Sequence, residues 1–335
     1  MTDLLFVVSV GKTIGLGHLV RSIALASYME RAYGMASAFV LTEALNGVSS
    51  QRVRSHGWSL YGCSEREGLW RCIEESAGIE RPKGVIYDLE QGCPSSLECR
   101  AAGKAKIIGF IGAGEKGTGA QRLDCSFVQG LPVPPPSDKR CYYGTEYVVL
   151  REEFEQEHDA AGEPSKVFVC GGGSDPFDVT DRICKALHTA EGVRQVEVVL
   201  GSLYRGRMDD FKTKEIPRVS IYRDVENPYE LMIRCCLAVV SYGMVALEAL
   251  AVGLPTLAVS ISEDHLASAD ALARRYGGLI SLGLVSKVRA AAISEAVSGL
   301  LKDPELRLRM AASAKRAVDG KGAARVAHKI RETIQ

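Results

Sequence analysis

One alternation constrains this chain more than any other feature. Short apolar runs rich in β-branched residues are each followed by a glycine turn or a helical segment. In the first half the runs are Leu4–Val10, Ala38–Leu41, Gly84–Tyr87 and Lys106–Ile111. In the second they are Lys166–Cys170, Gln195–Leu200, Leu237–Val240 and Thr256–Ser260. Runs that are apolar throughout suit strands of a parallel sheet covered on both faces. Between them, His18–Tyr33 carries Leu19, Ile23, Ala26 and Met29 at three-to-four spacing, which predicts an amphipathic helix. Strands alternating with helices predict layered parallel α/β architecture.

The 335 residues suggest two such domains, at about 100–200 residues each. The boundary is expected in Glu152–Ser165, a polar, acidic stretch that ends Gly-Glu-Pro. It separates an N-terminal domain, residues 1–155, from a C-terminal domain, residues 165–335. The basic run Asp303–Lys329 reads as a helix pair, with the last helix able to cross back onto the first domain. The Pro-rich tract Leu131–Asp138 reads as a surface loop of the first domain.

Composition removes several function classes. Lys+Arg and Asp+Glu both number 41, so the basic excess of a nucleic-acid binder is missing. The start of the chain has no secretory pattern, and a cytoplasmic location is expected. Cys235–Ser262 carries only Glu248 as a charge, but Gly243, Gly253 and Pro255 interrupt it, so stable membrane insertion is not expected. The ten cysteines include no C-x-x-C pair and read as reduced, structural thiols. No metal or cofactor motif is present. Gly112–Gly117 spells G-x-G-x-x-G, yet the residues after it cannot form the helix a dinucleotide site requires.

Three glycine turns remain as candidates. The first, Gly11–His18, precedes a helix bearing Arg21. Glycines let a backbone approach a ligand, and a helix start offers free N–H groups and partial positive charge. A histidine there is expected to be neutral and able to accept a proton, which makes His18 a candidate general base; the alternative is a structural histidine. The second turn is Gly171-Gly172-Gly173-Ser174-Asp175-Pro176, with Asp175 expected to cap a helix whose first turn holds Pro176. Three consecutive glycines favour close ligand approach over a merely tight connection. The third is Ser241-Tyr242-Gly243-Met244, opening a helix that Gly253 stops. Glu248 lies in that apolar helix and needs a partner, either a buried cation or the hydroxyls of a ribose. His265 follows a strand end and stands apart from His56, His158, His188 and His328, which read as surface or packing residues.

These residues carry a resemblance. Gly15-Leu-Gly17-His18-Leu-Val-Arg21 resembles the G-x-G-H-x-x-R opening of bacterial nucleotide-sugar hydrolases. The family most resembled is UDP-2,4-diacetamido-2,4,6-trideoxy-β-L-altropyranose hydrolase of pseudaminic acid biosynthesis, with its spore-coat polysaccharide relatives. Tyr143–Phe154 looks like that family's G-x-x-Y-x-x-L-R-x-E-F segment, and Gly171–Pro176 like its G-G-S-D-P turn. These families are related to the family-28 glycosyltransferases. The resemblance implies GT-B architecture: two Rossmann-like α/β domains with the site in the cleft between them.

It also implies roles. His18 would activate water for inverting attack at the anomeric carbon of a UDP-linked amino sugar, helped by Gly15, Gly17 and Arg21. Gly172, Gly173 and Ser174 would lie near the diphosphate. Ser241, Gly243 and Met244 would bind phosphate, and Glu248 the ribose. Asp88 and Glu90 replace the family's Asp-x-aromatic element and are further catalytic candidates. Asp264 and His265 stand where the family has Asn-Gln and are candidates for substrate binding. The implied activity is nucleotide-sugar hydrolysis, without metal or cofactor. The alternatives are an inverting glycosyltransferase using a UDP-sugar donor and a non-catalytic nucleotide-sugar-binding protein.

Overall fold

A computed structural model describes residues 2–11, 16–43, 45, 47–63, 68–90, 92, 94–112, 123–131, 135–156, 162–206 and 218–335. The chain divides into two compact units. One is Met1–Glu152 with Gly320–Gln335, the other Glu153–Asp319. The second unit thus ends before the last helix, which belongs to the first.

The first unit runs β1 (Leu4–Val8), α1 (Gly17–Tyr33), β2 (Ser37–Leu41), α2 (Val48–Arg54), β3 (Ser59–Gly62), α3 (Leu69–Glu80) and β4 (Gly84–Asp88). It continues with α4 (Ser96–Ala101), β5 (Lys106–Phe110), β6 (Cys125–Gln129) and β7 (Cys141–Gly144). Its sheet is parallel throughout, in the order β3-β2-β1-β4-β5-β6-β7. The central strands are buried along their whole length, as their unbroken apolar runs require. Helix α1 stops at Gly34, whose φ of 65° lets its N–H return to the Glu30 carbonyl.

The second unit runs β8 (Glu163–Cys170), α5 (Val179–Leu187), β9 (Gln195–Leu200), β10 (Arg218–Arg223), α6 (Tyr229–Met232) and β11 (Cys235–Ser241). Then come α7 (Met244–Ala251), β12 (Thr256–Ser260), α8 (Glu263–Tyr276), β13 (Leu279–Leu284), α9 (Ala290–Lys302) and α10 (Pro304–Ala317). Its parallel sheet is ordered β10-β9-β8-β11-β12-β13. The last helix, α11 (Gly322–Ile334), places its Gly322 against the Val148 carbonyl of the first unit, so closely that a Cβ would lie 2.0 Å from that oxygen.

Several expectations change. Strand β8 begins at Glu163, inside the segment read as linker, because the Glu163 N–H pairs with the Arg234 carbonyl. Residues 157–161 of that segment, and 132–134 of the Pro-rich tract, lie outside the described residues. On the same strand, Lys166 forms a nearly buried ion pair with Glu197 at 3.2 Å. Helix α5 starts at Val179, so Pro176 precedes it rather than opening it. Asp175 nevertheless caps it: its carboxylate accepts from Val179 N at 2.7 Å and Thr180 N at 2.9 Å.

Among the described residues the cysteines are free thiols. Burial pushes Cys170 and Cys184 up to about 12, which leaves them protonated and unreactive. No described helix is long and apolar enough to cross a membrane. Among the described residues there is no group of three or more His, Cys, Asp or Glu able to hold a metal.

Candidate active site

In each sheet the strand order reverses at one point, and open α/β sheets bind ligands outside the carboxyl ends of the strands at such points. In the first unit the reversal falls between β1 and β4. Residues from both strand ends meet there. Asp88, the last residue of β4, pairs in register with Val8 of β1 and is fully buried. His18 occupies the first turn of α1, directly after the β1 turn. Its Nδ1 lies 2.6 Å from Asp88 Oδ1. Arg21 Nε donates to Asp88 Oδ2 at 2.6 Å, and its Nη2 donates to Oδ1. Ser22 Oγ completes the set, donating to Oδ2 at 3.1 Å.

The local sequence explains the meeting. Positions 18, 21 and 22 are i, i+3 and i+4, which share one face of a helix. That face turns toward the end of β4, and the carboxylate there receives all three side chains. Ser22 was not singled out from sequence, although its spacing from His18 and Arg21 was the available signal. Burial alone would raise the Asp88 pKa. The Arg21 guanidinium, and then His18, outweigh burial and hold the carboxyl well below the usual carboxylate range.

Two groups meet Nδ1: the Asp88 carboxylate at 2.6 Å, which can only accept, and Arg21 Nη2 at 3.0 Å, which can only donate. The shorter contact, to the carboxylate, favours the tautomer in which Nδ1 donates and the lone pair is left on Nε2. The His18 side chain keeps 23% exposure. Asp88 is fully buried beneath His18, Arg21 and Ser22, so it cannot touch a ligand itself. Glu90 is exposed, two residues past the end of β4, and its N–H donates to Ser9 Oγ at 3.0 Å. It is not among the hydrogen-bond partners of Asp88 described above. Gly17 opens α1, and Leu16 provides no side-chain cap, so among the described residues the first N–H groups of that helix have no side-chain acceptor from the cap position. Gly15 lies outside the described residues.

The second unit reverses its strand order between β8 and β11. The Gly171–Ser174 turn leaves β8, and the Ser241–Met244 turn leaves β11. Ser241 Oγ donates to the Gly171 carbonyl at 2.9 Å and ties the two turns together. Helix α7 starts at Met244 with Gly243 in the cap position. Ala246 and Leu247 N–H both return to the Gly243 carbonyl, which leaves the Met244 and Val245 N–H groups at the helix start without an intrahelical acceptor. Glu248 is buried one turn further in and raises the Cys170 pKa by its charge, so it sits near the end of β8.

The glycines of the second turn have internal reasons to be glycine. A Cβ on Gly171 would lie 2.3 Å from the Asp175 carboxylate and 2.5 Å from Thr180 Oγ1. Gly172 has a φ of 102°. Gly173 faces Gly201 so closely that a Cβ on Gly201 would fall 2.1 Å from the Gly173 carbonyl oxygen. Close backbone packing is therefore one reason for glycine in this turn. Gly201, after β9, carries no sequence signal of its own.

Asp264 and His265 open α8, one strand over at the end of β12. Ser262 caps that helix by accepting from His265 N at 3.2 Å. The His265 ring stands edge-on to Tyr242, 5.9 Å between centroids, and so packs against the β11 turn. Its Nδ1 is buried without a hydrogen-bond partner among the described residues. Burial lowers the His265 pKa against the opposing charge of Asp264. Asp264 is exposed.

Two parallel α/β units, each with a glycine turn at its reversal point, have counterparts among solved structures. MurG of Acinetobacter baumannii superposes with a TM-score of 0.67 at 14% identity, over 98% of this chain and 99% of its own. The calicheamicin glycosyltransferase CalG4 does so with a TM-score of 0.67 at 14% identity, over 100% and 98%. The fold is GT-B. A UDP complex of S. aureus MnaA also matches, with a TM-score of 0.64 at 12% identity, over 99% and 96%.

In sequence, the spore coat polysaccharide biosynthesis protein SpsG of Bacillus subtilis is 22% identical over 326 residues, 93% of each chain. An uncharacterised protein of Methanocaldococcus jannaschii, MJ1062, is 22% identical over 271 residues. That alignment spans 75% of this chain but only 54% of the archaeal relative's length. No protein-family model matches the chain.

Proposed function

We propose that this chain is an inverting glycosyltransferase that uses a UDP-sugar donor, in polysaccharide biosynthesis. The observation that carries the reading is the His18–Asp88–Arg21 cluster at the reversal point of the first sheet. It supplies a histidine whose favoured tautomer leaves the lone pair on Nε2, held by a buried carboxylate that is itself charge-balanced by an arginine. In the second unit, the Met244 and Val245 N–H groups and the Gly171–Ser174 turn supply what a diphosphate needs. Glu248 is the candidate for the ribose hydroxyls. The name of CalG4, a glycosyltransferase, supports transfer, that of SpsG supports polysaccharide biosynthesis, and the MnaA complex supports UDP.

In the reaction, His18 Nε2 takes the proton of an acceptor hydroxyl. The acceptor oxygen attacks the anomeric carbon, and the bond from that carbon to the phosphate oxygen breaks. UDP leaves with the bonding pair. Stabilising its charge is the larger requirement, and preorganised N–H groups meet it. The base contributes about 10²–10⁴-fold. If water takes the acceptor's place, the same geometry performs hydrolysis. That is the activity implied by the Gly17-His18-x-x-Arg21 and Gly171–Pro176 motifs, and it is the second reading.

The test is to incubate full-length protein with UDP-N-acetylglucosamine and related UDP-sugars, with and without a panel of carbohydrate acceptors. Acceptor-dependent UDP release supports transfer. Equal release without acceptor, with free sugar formed, selects hydrolysis. UDP that binds without any turnover would refute both. Replacing His18 by Asn should lower kcat by about 10²–10⁴-fold while UDP affinity stays within about twofold. Near-wild-type turnover in that variant removes His18 as the base.

A further inference from the structure

At the carboxyl edge of the first sheet, one polar side chain has no role in the cluster above. Gln129 is the last residue of β6. Both its carboxamide oxygen and nitrogen are shielded from solvent and have no hydrogen-bond partner among the described residues. A buried amide with neither group satisfied is unusual in a native fold and calls for an explanation.

Register shows which described residues flank it and why they leave it unsatisfied. Phe127 pairs with Phe110 of β5, and Phe110 with Asp88 of β4. In-register residues of a parallel sheet share a face, and so do residues two apart on a strand. Gln129 therefore projects from the same face as Asp88, one step further toward the carboxyl rim. Its neighbour on β7 is Gly144, its register partner. On the β5 side, the residue two beyond Phe110 is Gly112, which is exposed. Neither neighbour has a side chain that could meet the amide. From the cluster, the Arg21 guanidinium stands over the Phe110 ring, 5.2 Å from its centroid.

We propose that Gln129 is a binding residue for the acceptor, and that it recognises a vicinal pair of hydroxyls on a carbohydrate ring. A carboxamide offers one acceptor and one donor side by side. A vicinal diol offers the complement: one hydroxyl donates to Oε1 while the other accepts from Nε2. The group is neutral, so an anionic ligand gains nothing here that Arg21 would not supply better. The assignment rests on the transfer reading, because it places the acceptor on the unit that carries the base.

The experiment compares full-length wild-type protein with Gln129→Leu and Gln129→Asn. The probes are methyl β-glucoside, which has vicinal hydroxyls, and cyclohexanol, which does not. Saturation-transfer NMR follows each probe, and UDP affinity and the thermal midpoint are measured on the same samples. Wild type should saturate the glucoside and not cyclohexanol. Gln129→Leu should weaken the glucoside about tenfold, the loss of roughly one net hydrogen bond's worth of binding.

The unliganded leucine variant should also melt at the same temperature or about 2–4 °C higher, because an orphaned amide has been replaced by an apolar side chain of similar size. A merely structural glutamine would show the opposite: lower melting and unchanged probe binding. Either of those results, or no glucoside saturation in wild type, overturns the assignment. UDP binding reports on the donor reading separately. Its absence in wild type refutes that reading, whereas intact UDP binding with no Gln129 effect refutes only this one.

Discussion

Replacing Asp88 by Asn tests the central arrangement most directly. The carboxylate is fully buried and takes bonds from His18, Arg21 and Ser22. An amide at the same place keeps one acceptor oxygen and turns an NH₂ toward one of those donors. Arg21, whose side chain is only 17% exposed, loses its counter-charge. Breaking one partner of a buried pair costs about 3–5 kcal/mol, and the partial exposure of Arg21 and His18 puts this case near ~3 kcal/mol. A unit of this size melts roughly 2–4 °C lower for each kcal/mol lost, so the expected fall is about 6–12 °C. It should appear in calorimetry as a shift of the first unit's transition alone. The sign of the pH dependence follows from the depressed Asp88 pKa. The carboxylate's contribution is complete above its unfolded value of about 3.9 and is lost as pH falls through the lower folded value. The gap between wild type and Asp88→Asn should therefore narrow below about pH 4. Turnover should fall by about 10²–10⁴-fold, because an amide no longer favours one imidazole tautomer, while UDP affinity holds. An unchanged melting temperature, or unchanged turnover, would refute the argument.

Two further outcomes follow from the second unit. In Gly201→Ala, the added methyl meets the Gly173 carbonyl oxygen at 2.1 Å, so the turn after β8 must move. Expected are a loss of about 1–3 kcal/mol in urea unfolding and a weaker UDP complex by calorimetry; wild-type values in both would show that the close packing of these turns is unimportant. His265 has a lowered folded pKa, so its contribution to stability is complete above about 6.5 and is lost as pH falls through the folded value. Replacing His265 with Gln should flatten the melting temperature between pH 6.5 and 5 relative to wild type, and parallel curves would contradict the assignment.

The sequence by itself determined the parallel α/β class and the strands at the centre of each sheet. Those strands are buried on both faces, so their apolar runs are continuous and visible without any partner. It did not reveal β3, β7, β10 and β13, which are the four sheet edges, nor β6 beside one of them. An edge strand is covered less completely and alternates polar with apolar residues, as in Arg218–Arg223. The sequence also marked His18, Arg21 and Asp88 separately. Only the pairing of β1 with β4 put a carboxylate 70 residues away under the first turn of α1 and made three scattered residues one hydrogen-bonded cluster. Register likewise decided that Gln129 stands between glycines, since neighbours across a parallel sheet are set by strand order and never by position along the chain.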